Sequence, residues 1–343
     1  MILQGDSDAV ARPGRRGSLS GHAAAMLARL IAERRLRPDI AVTCRGRTDG
    51  AGQQAIAVIS AMMLARYAGC RYLHSPLARM AHAEGAPEAW AERWERFFNF
   101  GDGETLTPRD AELVPLPAAI TDPEAYADRP IVIVQSLFGL PDEAAAEVGD
   151  ALRSDLRAKY WRSPKTSIPS HRGPAGGLTI AIHVRRGDVS RMKNANRYTP
   201  DEKTLRQIER LKRALAPFGR RLTFNLYSEG KVEEFRRFAE SGCNLHISED
   251  PFETLHNMVT ADILLGAYSN FSYVAGQLSE GIVLDHRRRY PRFTDWIGRR
   301  KNGDIPIKRL RQALLRRSGW PKRCTFHLRR LGLLTSSAAG RRQ

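Results

Sequence analysis

The feature that most constrains this 343-residue chain is a repeated change of hydrophobic period along its length. Short apolar runs alternate with segments of helical period, the pattern of parallel strands covered by helices on both faces. In the first half the pattern predicts strands at 40–44, 71–74 and 131–135 and helices at 22–35, 53–68, 88–97 and 143–161. In the second half, strands at 178–184, 222–227, 244–247, 262–266 and 282–284 alternate with helices at 202–216, 232–241, 252–260 and 271–280. Between the halves, residues 162–177 are rich in Ser, Pro and Gly and read as a linker. A chain of this length is expected to split into two compact domains. These are expected at 21–165 and 178–290, with a disordered segment at 1–20 and a basic tail at 291–343. The expected fold class is α/β, built from two doubly wound Rossmann-like halves.

The net charge of +18 is concentrated at one end: from Arg287 onward there are eighteen Lys and Arg against Asp295 and Asp304. The basicity therefore belongs to the tail and says little about the body. A basic nucleic-acid-binding protein is one reading of such a charge, but the aromatic-glycine pattern of an RNA-reading strand is missing and no nucleic-acid partner is expected. Basic pairs such as Arg316-Arg317 and Arg329-Arg330, beside Trp320 and Phe326, suit peripheral contact with an anionic membrane surface. A solvated extension is the equally weighted alternative. Cys44, Cys70, Cys243 and Cys324 are scattered, without zinc-site or disulfide-framework spacing. No apolar run reaches 18 residues, and residues 1–20 lack an apolar signal core, so a cytoplasmic, bacterial-type protein is expected, perhipheral at most to the inner membrane.

The stretch Leu178-Thr-Ile-Ala-Ile-His183-Val-Arg185-Arg186-Gly187-Asp188 carries the chemistry. An apolar strand empties into two arginines, a glycine and a carboxylate, at the strand end where open α/β sheets bind ligands. A guanidinium fork can hold two phosphate oxygens, and Gly187 lets backbone approach them. His183 lies two residues before Arg185 and faces the same side of the strand. Ser269, Asn270, Phe271 and Ser272 fall where a strand turns into a helix, whose unpaired N–H groups suit an anion and whose serine suits an N-cap. Tyr227 and Glu229 end one strand and Glu249 and Asp250 follow the next. A carboxylate at such a place can accept the N1 and N2 hydrogens of guanine. The Gly50 to Gly52 spacing is not a dinucleotide fingerprint, and no Walker sequence occurs. His74 and His82 read as local structural residues, and Asp262 as a strand-start residue. The one Asp-x-Asp triplet, Asp6-Ser7-Asp8, lies in the segment read as disordered.

The motif at 178–188 resembles the donor-binding motif of the fucosyltransferase superfamily that includes the alpha-1,2-, alpha-1,6- and protein O-fucosyltransferases. Two further segments are similar to the same family. Arg45-Gly46-Arg47-Thr48-Asp49-Gly50-Ala51-Gly52-Gln53-Gln54 looks like its Gly-x-Gly-x-Gln acceptor-side loop, and residues 253–276 look like its final donor motif. The resemblance implies a GT-B-like architecture with a cleft between the halves, and a transfer of L-fucose from GDP-fucose to a glycan hydroxyl with inversion. It implies Arg185 on the β-phosphate, His183 in the nucleotide pocket and the 269–272 turn around the diphosphate. Arg186, Tyr227 and either Glu229 or Asp250 are the further donor-site candidates. Neither cofactor nor metal is implied, GDP-fucose being the donor substrate and a glycan the acceptor. The chain departs from the pattern at the general base, because 189–196 contains no carboxylate. Asp188, Asp49 and the leaving phosphate are the remaining bases. The same gap keeps open a noncatalytic sugar-binding relative.

Overall fold

The computed structural model describes residues 16–81, 83–134, 140, 142–286, 292–300 and 302–316. These divide into two compact units, the first running to Asp155 and the second from Leu156 onward. The first contains α1 (Arg16–Ala32), β1 (Ala41–Thr43), α2 (Ala51–Ala68), β2 (Arg71–Tyr72), α3 (Pro87–Phe98), β3 (Leu113–Pro115), α4 (Leu116–Thr121) and β4 (Val132–Val134). Helix α5 (Asp142–Arg162) begins in the first unit and ends in the second. The second continues with β5 (Leu178–His183), α6 (Asp201–Leu215), β6 (Leu222–Ser228), α7 (Arg236–Glu240), β7 (Cys243–Ile247), α8 (Pro251–Thr260), β8 (Ile263–Leu265), α9 (Asn270–Leu278), β9 (Ile282–Asp285), β10 (Ile297–Gly298) and α10 (Ile307–Arg316). Both sheets are parallel, with strand orders β2-β1-β4-β3 and β10-β9-β8-β5-β6-β7.

Burial follows the two periods read from the sequence. Helix α2 is apolar nearly all round and is buried over almost its whole length, as such a helix must be. Helix α3 is amphipathic instead: Trp90, Trp94, Phe97 and Phe98 share its buried face, and Trp94 and Phe98 stack at 5.1 Å. In the second unit, alternate residues Leu178, Ile180 and Ile182 of β5 enter one apolar cluster with Ile208 and Leu211 of α6 and Leu310 and Leu314 of α10. Each such aliphatic side chain contributes about 1.5–3 kcal/mol by leaving water. Asp201 and Glu202 open α6 and Lys212 and Arg213 close it, charges that complement its dipole.

Three boundaries differ from the sequence expectation. Helix α1 starts at Arg16, inside the stretch read as disordered, while 1–15 lie outside the described residues. The segment read as a linker belongs to the second unit, because side chains satisfy its backbone. Asn225 Nδ2 donates to the His171 carbonyl at 2.6 Å, Asn257 Nδ2 donates to the Pro169 carbonyl at 2.9 Å, and the His171 N–H donates to Asn257 Oδ1 at 2.8 Å. The supposed tail supplies β10 and α10, whose Ile297, Leu310 and Leu314 are core residues; its remaining part, 317–343, lies outside the described residues. Strand β3 escapes a period argument because it is short and ends in Pro115, which an edge strand tolerates.

Where α5 ends, a buried polar group links it to α8. The Tyr160 hydroxyl and His256 Nδ1 lie 2.8 Å apart, and Lys165 Nζ sits 4.4 Å from the centre of the Tyr160 ring. Burial, assisted by the Lys165 cation, pushes His256 down to about 4. An unfolded histidine keeps its ordinary value near 6.5. The folded state therefore binds fewer protons between these values, and stability falls as pH drops from about 6.5 to about 4. The expected loss from this group is roughly 1–3 kcal/mol. Urea unfolding at several pH values checks it: His256→Gln should flatten this part of the profile, and an unchanged slope would refute the assignment.

Candidate functional site

The order of the second sheet sets the location. From β5 the chain proceeds outward to β6 and β7, then returns to β8 beside β5 and proceeds outward the other way to β9 and β10. The carboxyl ends of β5 and β8 thus flank a topological switch point, where open α/β sheets bind ligands. Arg185 follows β5, and Ser269 follows β8 as the N-cap of α9.

These two residues meet. Arg185 Nη1 donates to Ser269 Oγ at 3.0 Å, and the same hydroxyl oxygen accepts the Phe271 N–H at 3.2 Å. Arg185 Nη2 donates to Asp188 Oδ2 at 2.7 Å, which holds the guanidinium plane across the mouth of the switch point. Arg185 Nε is buried and has no hydrogen-bond partner among the described residues. A cation and the first turn of a helix thereby converge, an arrangement suited to an anion.

Gly187 has φ of +69°, a backbone conformation that favours glycine, and a Cβ there would displace the Glu229 carboxylate that lies against it. The imidazole of His183 and the ring of Phe271 lie 6.2 Å apart, closing the site between β5 and α9. Asn270 is the first residue of α9. Ser272 is buried, and its hydroxyl accepts the Ala267 N–H at 3.1 Å, so it braces the turn from within.

The remaining candidates lie elsewhere or are already engaged. Arg186 turns toward the start of α6, where it pairs with Asp201, donates to the Thr199 carbonyl at 3.1 Å and packs on the Tyr198 ring at 4.4 Å. Tyr227 is buried with its hydroxyl 3.2 Å from His171 Nδ1, and burial holds that phenol well above its ordinary range. Asp250 Oδ1 caps α8 by accepting the N–H groups of Phe252 and Glu253 at 2.8 and 3.1 Å. Asp49 belongs to the first unit, paired with Arg47, and its carbonyl accepts Gln54 Nε2 at 2.7 Å. His74 is structural, lying between Glu95 at 2.8 Å and the Tyr72 hydroxyl at 3.0 Å, and His82 lies outside the described residues. Asp262 accepts the Thr179 N–H at 2.8 Å, as a strand-start residue does.

One supporting residue was read only as part of a basic tail. Arg299 is buried, donates to Gln207 Oε1 at 3.1 Å and to the Asp285 carbonyl at 3.3 Å, and also bonds the Gly266 carbonyl at the end of β8. The apolar pair Trp296-Ile297 just before it was the signal that this part of the charge run is inside. Among the described residues, His171, His246 and Glu249 form a group with metal-ligand chemistry. The two imidazoles stack at 3.8 Å with planes 12° apart, so their in-plane lone pairs run side by side and do not converge on an ion. Each is paired with a carboxylate, His171 with Glu253 at 2.6 Å and His246 with Glu249 at 3.0 Å. Burial, then the neighbouring His171, lowers His246 from its ordinary value. No described helix is long and apolar enough to cross a membrane.

No family model matches the sequence, and no curated protein matches it either. Among solved structures, the chain is similar to the crystal structure of NodZ alpha-1,6-fucosyltransferase co-crystallised with GDP. The TM-score is 0.38 and the identity 13%, over 72% of this chain and 95% of that one. A superposition this loose fixes neither ligand nor chemistry.

Proposed function

We propose that the second unit binds a nucleoside diphosphate sugar with its diphosphate between Arg185 and the first turn of α9. On this reading the protein is a GT-B-like glycosyltransferase, with GDP-fucose as donor and a glycan hydroxyl as acceptor. The observation that carries the proposal is the 3.0 Å bond from Arg185 to Ser269 across the switch point. Support comes also from the order of the three family-like segments along the chain.

In the reaction the bond from the anomeric carbon to the phosphate oxygen breaks while the acceptor hydroxyl attacks from the opposite face, inverting that carbon. Negative charge collects on the departing diphosphate. Arg185 and the N–H groups of α9 meet that charge without reorganising, which is where such a site lowers a barrier. Asp188 orients the guanidinium, and Ser272 holds the turn that presents the N–H groups. With one oxygen of Asp250 already taken as a helix cap, Glu229 is the carboxylate better disposed to accept from guanine. The proton of the acceptor hydroxyl passes to Asp188 or to a phosphate oxygen.

Calorimetric titration of the full chain with GDP, UDP and ADP, each with and without EDTA, tests the donor site. GDP is expected to bind at least about tenfold more tightly than the others, with no effect of EDTA. Equal affinities, or binding that requires Mg²⁺ or Mn²⁺, would overturn the reading. The missing carboxylate at 189–196 favours a second reading, a noncatalytic sugar-binding relative. GDP binding without GDP release from GDP-fucose would select it.

A further inference from the structure

The first unit contains a cavity of about 390 Å³ at the carboxyl end of β1. Small-ligand sites span roughly 300–1,000 Å³. Ser75 and Thr107 line it, and their hydroxyls form a triangle with that of Thr43, with sides of 2.9, 3.0 and 2.9 Å. A ring of three hydroxyls can satisfy its hydrogens internally and so leave acceptor capacity on Ser75 and Thr107, the two that line the cavity, as a sugar hydroxyl requires.

Three arginines, Arg45, Arg47 and Arg109, line the same cavity, and among the described residues no carboxylate does. Arg47 is paired with Asp49. Arg45 and Arg109 are exposed and have no ion-pair or hydrogen-bond partner among the described residues. Other arginines of this unit are matched with acids, as in Arg29–Glu33, Arg35–Glu124 and Arg37–Asp39, while Arg34 and Arg66 are exposed without such a match among the described residues; what marks Arg45 and Arg109 is that both line one cavity. Two unmatched guanidinium forks over a floor of hydroxyls suit a ligand that carries both an anionic group and sugar hydroxyls.

We infer that this cavity is an anion-selective saccharide subsite, so the acceptor glycan bears a carboxylate or a phosphate. Its assignment as the acceptor subsite rests on the glycosyltransferase reading above; its anion selectivity does not. Titration of the full chain with tetragalacturonate, mannose 6-phosphate and neutral cellotetraose separates the two sources of negative charge. The expected result is that at least one anionic probe binds about tenfold or more tightly than cellotetraose. In Arg45→Gln/Arg109→Gln that advantage should disappear, with GDP affinity unchanged. Both side chains are exposed, so the variant should fold, and circular dichroism checks this. The inference is overturned if cellotetraose binds as well as the anions, if neither anion binds, or if the folded variant keeps the preference. It is overturned too if the variant loses GDP affinity, since the cavity would then serve the donor. Absent GDP binding with intact anion selectivity would instead defeat the donor-site reading and leave the subsite standing.

Discussion

Arg185→Lys is expected to lower GDP release from GDP-fucose by about 10²–10³-fold while leaving thermal unfolding nearly unchanged. Lysine keeps the positive charge, so a purely Coulombic role would survive the change. It cannot keep the fork: one nitrogen of Arg185 reaches Ser269, another reaches Asp188, and the buried Nε has no acceptor among the described residues. A single ammonium can hold one of these directions but not all three. Stability should hold because the Arg185 side chain is only partly buried and the neighbouring Ser269 keeps its cap to Phe271. The measurement is kcat/KM for GDP release, with Tm and GDP affinity recorded on the same samples. Near-normal turnover in a folded Arg185→Lys protein would remove Arg185 from the chemistry. Lost turnover with a collapsed Tm would make it a structural residue.

The parallel α/β class and most strands could be read because their residues obey a local rule. Leu178, Ile180 and Ile182 alternate in sequence and share one cluster in space. That Arg185 and the 269–272 turn serve one site is implied by the family resemblance; the strand order that brings these two strand ends together, and the Arg185–Ser269 bond itself, come from the fold. What stayed hidden depends on neighbours distant in sequence. Tyr227 has the appearance of a strand-end ligand, but it stacks on His246 at 5.0 Å and on His171 at 5.9 Å, which no period announces. Asp250 reads as a candidate base-recognition carboxylate, whereas in the fold one of its oxygens accepts two N–H groups of the first turn of α8. Arg45 and Arg109 are far apart in the chain and line one cavity because His74 and Leu106 form a parallel bridge beside the sheet. Composition misled at 162–177 and beyond 291, since Gly, Pro and Arg can be built into a fold when amides and carbonyls elsewhere receive them.

Trp296→Ala is expected to cost about 3–5 kcal/mol of stability, the largest effect of any substitution considered for the fold. Trp296 is 1% exposed, meets Tyr273 edge-on at 5.2 Å and Phe293 at 4.9 Å, and lies in a stretch that charge alone would place outside the core. Its neighbour on α9 is Gly276, where an added Cβ would come within 2.9 Å of the indole ring. The helix therefore rides directly on the ring, and glycine is what permits the close approach. Truncation removes a wall that α9 cannot collapse onto without moving its own first turn. Because that turn carries Ser269 and the N–H groups facing Arg185, GDP affinity should fall along with stability, although Trp296 is no part of the site's polar chemistry. Urea unfolding of wild type and variant, followed by GDP titration of the folded variant, checks both halves. A stability change below about 1 kcal/mol would mean that the ring is not a core residue. A large loss with unchanged GDP affinity would mean that the first turn of α9 is held by Arg299 and Ser272 without help from the core beneath it.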